Sequence, residues 1–383
     1  MNKESIDYQS LLRVADSKIQ RERVEACIKY GSQLKAGKAL KVDGKRINET
    51  IAYLKKRAAY VPESHELTGL STYTTLDNGD KQWIKTNVAK EKQQEILKQA
   101  IVDTFTEFKG KSICRDSPKN SDSDLLVLIP IGDSHIGMLS WAPETGENFD
   151  LQIAEKNLCQ AMERMIAAAP SAETCLIADM GDMLHRNDNK NSTPASGNVL
   201  DVDGRAIKMM RVAVKILIHA VDCALQKFKK VILRNVFGNH SPDGEQMLAL
   251  ALELYYHNND RVIVETTPNK FFYYQHGLTL LGFCHGDKVK HGELPMIMAA
   301  DVPKKWGSSA FRYFYIGHIH HQSIKEYQGC SIESINTLTP NDAWHHGSGY
   351  RARKNIKLMV LHKEYGEIER ITKDISMVMG DEQ

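Results

Sequence analysis

Five short clusters in this chain place carboxylate, carboxamide and imidazole donors beside glycine: Asp133-Ser134-His135-Ile136-Gly137, Gly181-Asp182, Gly238-Asn239-His240, His285-Gly286 and Gly317-His318-Ile319-His320-His321. Each follows an apolar run, respectively LLVLIPI, TCLIAD, VILRNVF, LTLLGFC and RYFYI. Ligand sites in open α/β sheets gather at the carboxyl ends of strands, so five such turns can wall one crevice. Oxygen donors with several imidazoles form a mixed hard and borderline set, suited to manganese, iron, zinc or nickel rather than to a thiolate zinc site. Two such ions held about 3.5–4 Å apart need a shared carboxylate, and together they acidify a bridging water and clamp an attacked phosphoryl group. Glycine beside the donors allows tight turns and close backbone approach. Burying that many converging polar groups with no partner would be costly, which favours metal over a purely structural explanation.

The elements that must position these residues alternate in type. Strand-like runs are separated by helical patterns near 151–168, 204–228 and 243–258, followed by the β-rich stretch FFYYQHGLTLLGF, the strand RYFYIG and further β-like runs. This alternation predicts α/β layering, with sheets covered by helices. Upstream, Asp77-Asn78-Gly79-Asp80 between STYTTL and KQWIKT predicts a β-hairpin. A charged helix is expected from about Val88 to Phe108, then a polar linker over Gly110 to Asp124. The expected organisation is a helical module over 1–60, hairpin, helix and linker over 61–121, and a catalytic domain over 122–383.

In this order the motifs DxH, GD, GNH, H and GHxH resemble the calcineurin-like metallophosphoesterase superfamily, over about residues 124 to 340. The resemblance implies an α-β-β-α sandwich, two packed sheets flanked by helices, and two divalent ions, manganese foremost. It implies that Asp133, His135 and His320 hold the first metal, that Asn239, His285 and His318 hold the second, and that Asp182 bridges them. His240 would be the non-ligand imidazole that stabilises phosphoryl charge or protonates the leaving oxygen. Family members commonly continue GNH with an acidic residue, whereas here Ser241-Pro242 precedes Asp243. DSHIG and GDMLH are most similar to the SbcD-like, DNA-repair exonuclease branch. The chain is also similar to phage-encoded members with an amino-terminal helix-turn-helix and a W-[IV]-K-T element, here Trp83-Ile84-Lys85-Thr86. That implies a bacterial host cytoplasm.

The amino-terminal module supplies the link to a polymer. Leu11, Leu12, Ala15, Ile19, Val24 and Ile28 predict one helix, ended at Gly31-Ser32; Gln33 to Leu40 forms a second, and Ile47, Ile51 and Leu54 mark a third. The segment SQLKAGKALKVDGKRINETIAYLKKRA resembles helix-turn-helix segments. Between Lys29 and Arg57 nine cations face only Asp43 and Glu49. Lys45, Arg46, Lys55, Lys56 and Arg57 are therefore candidates for phosphate contact with DNA; the alternative is a small helical appendage with solvated lysines.

Composition sets outer bounds. With 42% hydrophobic and 26% charged residues, the chain falls among soluble globular proteins. Its start, MNKESIDYQS, has no apolar core of the signal-peptide kind, and no apolar run reaches bilayer length, so neither secretion nor membrane insertion is expected. Seven scattered cysteines with no CxxC pair show neither a disulfide framework nor a thiolate zinc site and fit a reducing cytoplasm. Other features are double-valued: His185 supports a metal ligand or is a loop histidine, and Arg186 and Lys190 meet substrate phosphate or lie in a solvated loop. Trp344, His345, His346 and Tyr350 line a groove or form a surface loop, and His291 is a loop or helix-start residue. Three functions compete: a metal-dependent DNA nuclease or exonuclease, a phosphatase or phosphodiesterase of nucleotides or phosphoproteins, and a DNA-binding regulator with a structural metal site. Oligomeric state is not readable.

Overall fold

The computed structural model describes residues 7–15, 17–58, 74–75, 81–82 and 109–379. The chain divides into two compact units, Met1–Thr106 and Glu107–Gln383. The expected helix from Val88 to Phe108 and the Trp83 to Thr86 element fall wholly outside the described residues.

The first unit contains helices α1 (Tyr8–Leu12), α2 (Lys18–Tyr30), α3 (Gln33–Leu40) and α4 (Gly44–Ala58). The single helix expected from Leu11 to Ile28 is broken in two. Ser17 accepts a hydrogen bond from the Gln20 N–H and so caps α2, Val14 and Ala15 are buried before it, and Ile19 is left 59% exposed. α3 stops at Lys41, whose φ of 54° is left-handed, and Val42 and Asp43 complete the turn into α4. Leu11, Val24, Cys27, Ala36, Ile47, Ile51 and Leu54 pack into this unit's own core. The opposite face of α4 exposes Lys45, Arg46, Lys55 and Lys56, while half-buried Arg57 donates to the Tyr53 hydroxyl at 3.0 Å. β1 (Thr74–Thr75) and β2 (Lys81–Gln82) pair antiparallel, and the residues between them lie outside the described ones.

The second unit holds two sheets. One has the order β13-β12-β3-β4-β5-β6, with β3 (Asp122–Ile131), β4 (Ala172–Asp179), β5 (Lys230–Asn235) and β6 (Val262–Glu265) all parallel. β12 (Asn355–His362) and β13 (Gly366–Asp374) extend it antiparallel. The other sheet has the order β10-β11-β9-β8-β7, built from β7 (Phe272–His276), β8 (Thr279–Cys284), β9 (Phe311–Ile316), β10 (Ser323–Tyr327) and β11 (Cys330–Ser334). β8, β9 and β11 run parallel.

Alternation along the strands sorts the core into layers. Leu126, Leu128, Leu176, Ala178 and Ile232 meet Leu281, Phe283 and Tyr315 between the sheets. Val127, Ile129, Cys175, Ile177, Val231 and Leu233 face the opposite way, onto α6 (Leu151–Ala168), α7 (Ala206–Leu225) and α8 (Pro242–Tyr255). A short helix, α5 (Ala142–Thr145), precedes them. Leu280, Cys284, Phe314 and Ile316 cover α9 (Leu294–Asp301), with α10 (Pro303–Ser308) following it. The architecture is the expected α-β-β-α sandwich, and each fully buried Leu, Ile or Val contributes about 1.5–3 kcal/mol. Two more short helices, α11 (Ala343–Gly347) and α12 (Ile375–Met379), lie near the carboxyl end of the chain. No helix among the described residues is long and apolar enough to cross a membrane.

The stretch read as a polar linker is tied to this unit. The Gly110 N–H donates to Leu254 O, and the Arg261 guanidinium donates to the carbonyls of Arg115, Asp116, Leu225, Phe228 and Lys229. Arg261→Ala strands those carbonyls, and we expect a stability loss of about 2–4 kcal/mol in denaturant titration. Proteolytic cleavage should appear between residues 110 and 121, and an unchanged midpoint with an unchanged cleavage map would show that the clamp is dispensable.

Candidate metal centre

All five donor clusters follow parallel strands. Asp133 and His135 come after β3, Asp182 after β4, Asn239 and His240 after β5, His285 after β8, and His318 and His320 after β9. Three of the strands belong to one sheet and two to the other, so the site straddles both sheets at their carboxyl ends.

The donors form two groups whose ligand atoms all lie within 4.8 Å of one another: Asp133, His135 and His320, and Asp182, His285 and His318. Within the first, His135 Nε2 and His320 Nε2 are 3.0 Å apart, and His320 Nε2 lies 3.7 Å from Asp133 Oδ1. Within the second, His285 Nε2 is 3.1 Å from Asp182 Oδ2 and 3.0 Å from Asn239 Oδ1, which brings Asn239 to the same point. His285 Nδ1–H donates to the Met180 carbonyl at 2.9 Å, so Nε2 is the nitrogen turned to the site. His240 adds its ring 4.6 Å from that of His135, with Nδ1 bonded to the His185 carbonyl at 2.8 Å.

Electrostatics match a cation site. Asp133 and Asp182 are 0% and 1% exposed. Burial, reinforced by the Asp182 charge against the pull of His285, lifts the Asp133 pKa to about 7. Burial also acts to raise that of Asp182, but the charge and hydrogen bond of His285, with His240, hold it below the usual range. Burial, with the neighbouring imidazoles, keeps His135 and His320 neutral, the latter lowered to about 3, which is the form that donates a lone pair. Burial works against a charge on His285 too, yet the Asp182 and Asp133 carboxylates raise it well above the ordinary value. Neutral imidazoles beside buried carboxylates in two convergent groups are a donor set that fits two divalent cations.

Backbone geometry marks the same residues. His135, Asp182, His318 and His320 have φ of 44°, 56°, 68° and 54°, left-handed values rarely taken by residues other than glycine. Such strain collects where the surroundings over-determine a functional conformation. Gly238 has no room for a side chain, since a Cβ there would lie 2.0 Å from Asp182 Oδ1.

The braces were the part missed in the sequence. Buried Glu245, in the first turn of α8, accepts from the N–H groups of Met183 and Gly238 at 2.9 and 2.6 Å and from the Ser241 hydroxyl, joining the Asp182 and Asn239 loops. Thr337 and Thr339 donate to the carbonyls of Asp133 and Ser134, each at 2.7 Å. The signal in the sequence was the pair of acids in the first turn of α8, of which Asp243 contacts Asn187 rather than His240. His185 Nδ1 meets His135 Nδ1 at 3.3 Å, behind the metal donors. Arg186 is buried and donates to Gly204 O and Asn189 Oδ1, and Lys190 is exposed. His345 stacks on His320 with centroids 4.9 Å apart, which brings Trp344 and Tyr350 beside the centre. His346 packs against Arg351, and His291 opens a 3₁₀ turn.

No family model and no curated protein matches the chain. Among solved structures it is similar to an archaeal phosphodiesterase, at 13% identity over 65% of this chain and 99% of that one, with a TM-score of 0.33. It is also similar to a predicted phosphoesterase from Streptococcus pneumoniae TIGR4, at 10% identity over 66% and 100%, TM-score 0.27. A third is Vps29 complexed with zinc from Entamoeba histolytica, at 12% identity over 65% and 99%, TM-score 0.28. At these values the likenesses carry no argument about activity.

Because Glu245 holds two donor loops without itself being a donor, Glu245→Ala should weaken metal binding about 10–100-fold in calorimetric titration. The far-ultraviolet circular dichroism should persist, and unaltered metal affinity would remove the bracing role.

Proposed function

We propose that this chain is a dinuclear metal-dependent phosphodiesterase acting on DNA, in the manner of a nuclease. The observation that carries the reading is the convergence of Asp133, His135, Asp182, Asn239, His285, His318 and His320, four of them in left-handed backbone, around a space that His240 also faces. Asp133, His135 and His320 would hold one cation, Asn239, His285 and His318 the other, with Asp182 between them. Bound there, the pair supplies Lewis acidity to a phosphoryl oxygen and makes a water nucleophilic near neutral pH.

The chain's own residues do the rest. The His185 carbonyl fixes the His240 ring through Nδ1, which leaves Nε2 to meet the phosphoryl charge or, as imidazolium, to give its proton to the leaving oxygen. The Asp182 carboxylate accepts the His240 backbone N–H at 2.7 Å and so ties the acid to the bridging position. Trp344 and Tyr350, 64% and 40% exposed, present aromatic faces next to His320 through His345. Bases stack on such faces with about 1–3 kcal/mol each, which favours nucleotide substrates over phosphoproteins. The cationic face of α4, carrying Lys45, Arg46, Lys55 and Lys56 with Arg57, supports a polymeric one.

Hydrolysis of bis-p-nitrophenyl phosphate with manganese, lost with chelator, is the first test. In His240→Ala, kcat should fall about 10²–10⁴-fold with the metal count unchanged; a full rate in that variant would remove the acid. Asp182→Asn should abolish turnover while DNA binding persists. The double variant Lys55→Gln, Lys56→Gln should lower DNA affinity and shrink its log–log salt slope by about 2. If mono- or dinucleotides are cleaved at wild-type rates and linear and circular DNA are not, the substrate is a small nucleotide.

A further inference from the structure

A second donor cluster stands on the outer surface of the helix layer, on residues that the phosphodiesterase reading does not use. Contacts climb together along α6 and α7, Glu155 with Lys215, Glu163 with His219, and the Ile166 carbonyl with Lys227, so the two helices run parallel. Cys159 and Glu163 are one turn apart on α6, and His219 and Cys223 are one turn apart on α7. His219 Nε2 is 2.8 Å from Glu163 Oε1 and 3.6 Å from Cys223 Sγ, and the donor atoms of all three lie within 4.8 Å of one another. Cys159, one turn before Glu163, lies outside this group of three, and burial first, then the Glu155 and Glu163 carboxylates and the Cys223 thiol, raises its pKa to about 11.

We propose that Glu163, His219 and Cys223 form a third metal site, for a thiophilic divalent cation of the zinc class, that pins α6 to α7. Zinc binds sulfur at about 2.3 Å and imidazole nitrogen at about 2.0–2.1 Å, so a tetrahedral angle separates the two donors by about 3.6 Å. The Cys223–His219 separation already has that value. Glu163 and His219 stand closer than two ligands would, at hydrogen-bond distance, and their side chains are 53% and 36% exposed, free to part by a few tenths of an ångström. An exposed Glu–His pair alone contributes little, and it does not explain the Cys223 thiol beside it. Three protein donors leave the fourth tetrahedral position to water. A thiolate also separates the site chemically from the main centre, whose donors are oxygen and nitrogen only.

The thiolate provides the readout. Cobalt added to the metal-free, reduced full chain should give a cobalt–thiolate charge-transfer absorption in the near ultraviolet, saturating at one equivalent for this site. The band should vanish in Cys223→Ser and weaken in His219→Ala. It should persist in Asp182→Asn, whose main centre is broken, so failure of the phosphodiesterase reading and failure of this one are distinguishable. In the unmodified chain, zinc should slow alkylation of Cys223 at least tenfold by peptide mass spectrometry, while exposed Cys114 reacts as before. The site is overturned if the wild-type chain gives no band, if the band is unchanged in Cys223→Ser, or if zinc protects Cys114 equally.

Discussion

Two carboxylates withdrawn from water, those of Asp133 and Asp182, set the terms for the second unit. Like charges in a low-dielectric setting repel each other and lose hydration, a cost that backbone hydrogen bonds offset only in part. Asp133 does accept from the His318 N–H at 2.9 and 3.1 Å, and Asp182 from that of His240. Around them stand imidazoles that burial keeps mostly neutral, so the protein itself brings little positive charge to the point where its negative charge gathers. That imbalance makes cations the natural counterpart of the site and explains why its donors converge from both sheets.

Convergence has a conformational cost, and its location is informative. Left-handed backbone in a residue with a side chain costs about 1–2 kcal/mol, and four donors adopt it. The offset comes from hydrogen bonds one layer back: Glu245 between two loops, Thr337 and Thr339 on the DSH turn, and the Asn235 amide on Asp179 beneath the GD turn. None of these side chains belongs to a donor group: Thr337 holds the backbone of Asp133 itself, Glu245 and Thr339 hold that of residues next to donors, and Asn235 holds Asp179, which accepts the Gly181 N–H. A site assembled from five loops is as stiff as the residues that join the loops.

The sandwich was legible in the sequence because its strands are continuous apolar runs that end in turn residues, and the donors were legible because glycine and polar ligands follow those ends. LLVLIPI before Asp133 and RYFYI before His318 are examples. The braces were not, since Glu245 or Thr337 looks like any helix-start acid or loop hydroxyl until tertiary structure sets it opposite a backbone group. Local capping also defeated periodicity at the first helix, where Ser17 restarts the chain and Ile19, in phase with the apolar stripe, faces outward. The His345–His320 stack joins segments distant in sequence, so Trp344 and Tyr350 read equally well as surface loop.

How the chain sorts its donors by softness follows from strand alternation. Cys284 immediately precedes His285, and a thiolate there would change which metals the centre prefers. Successive residues point to opposite faces, so Cys284 joins Leu280, Phe314 and Leu294 under α9, while His285 turns to the carboxylates. Buried in that apolar layer, which pushes its thiol up to about 12, Cys284 faces away from the centre. The centre therefore keeps an oxygen and nitrogen donor set although a sulfur lies one residue away. The half-exposed cysteine beside carboxylate and imidazole is Cys223 on α7, where helical spacing of one turn puts it on a common face with His219.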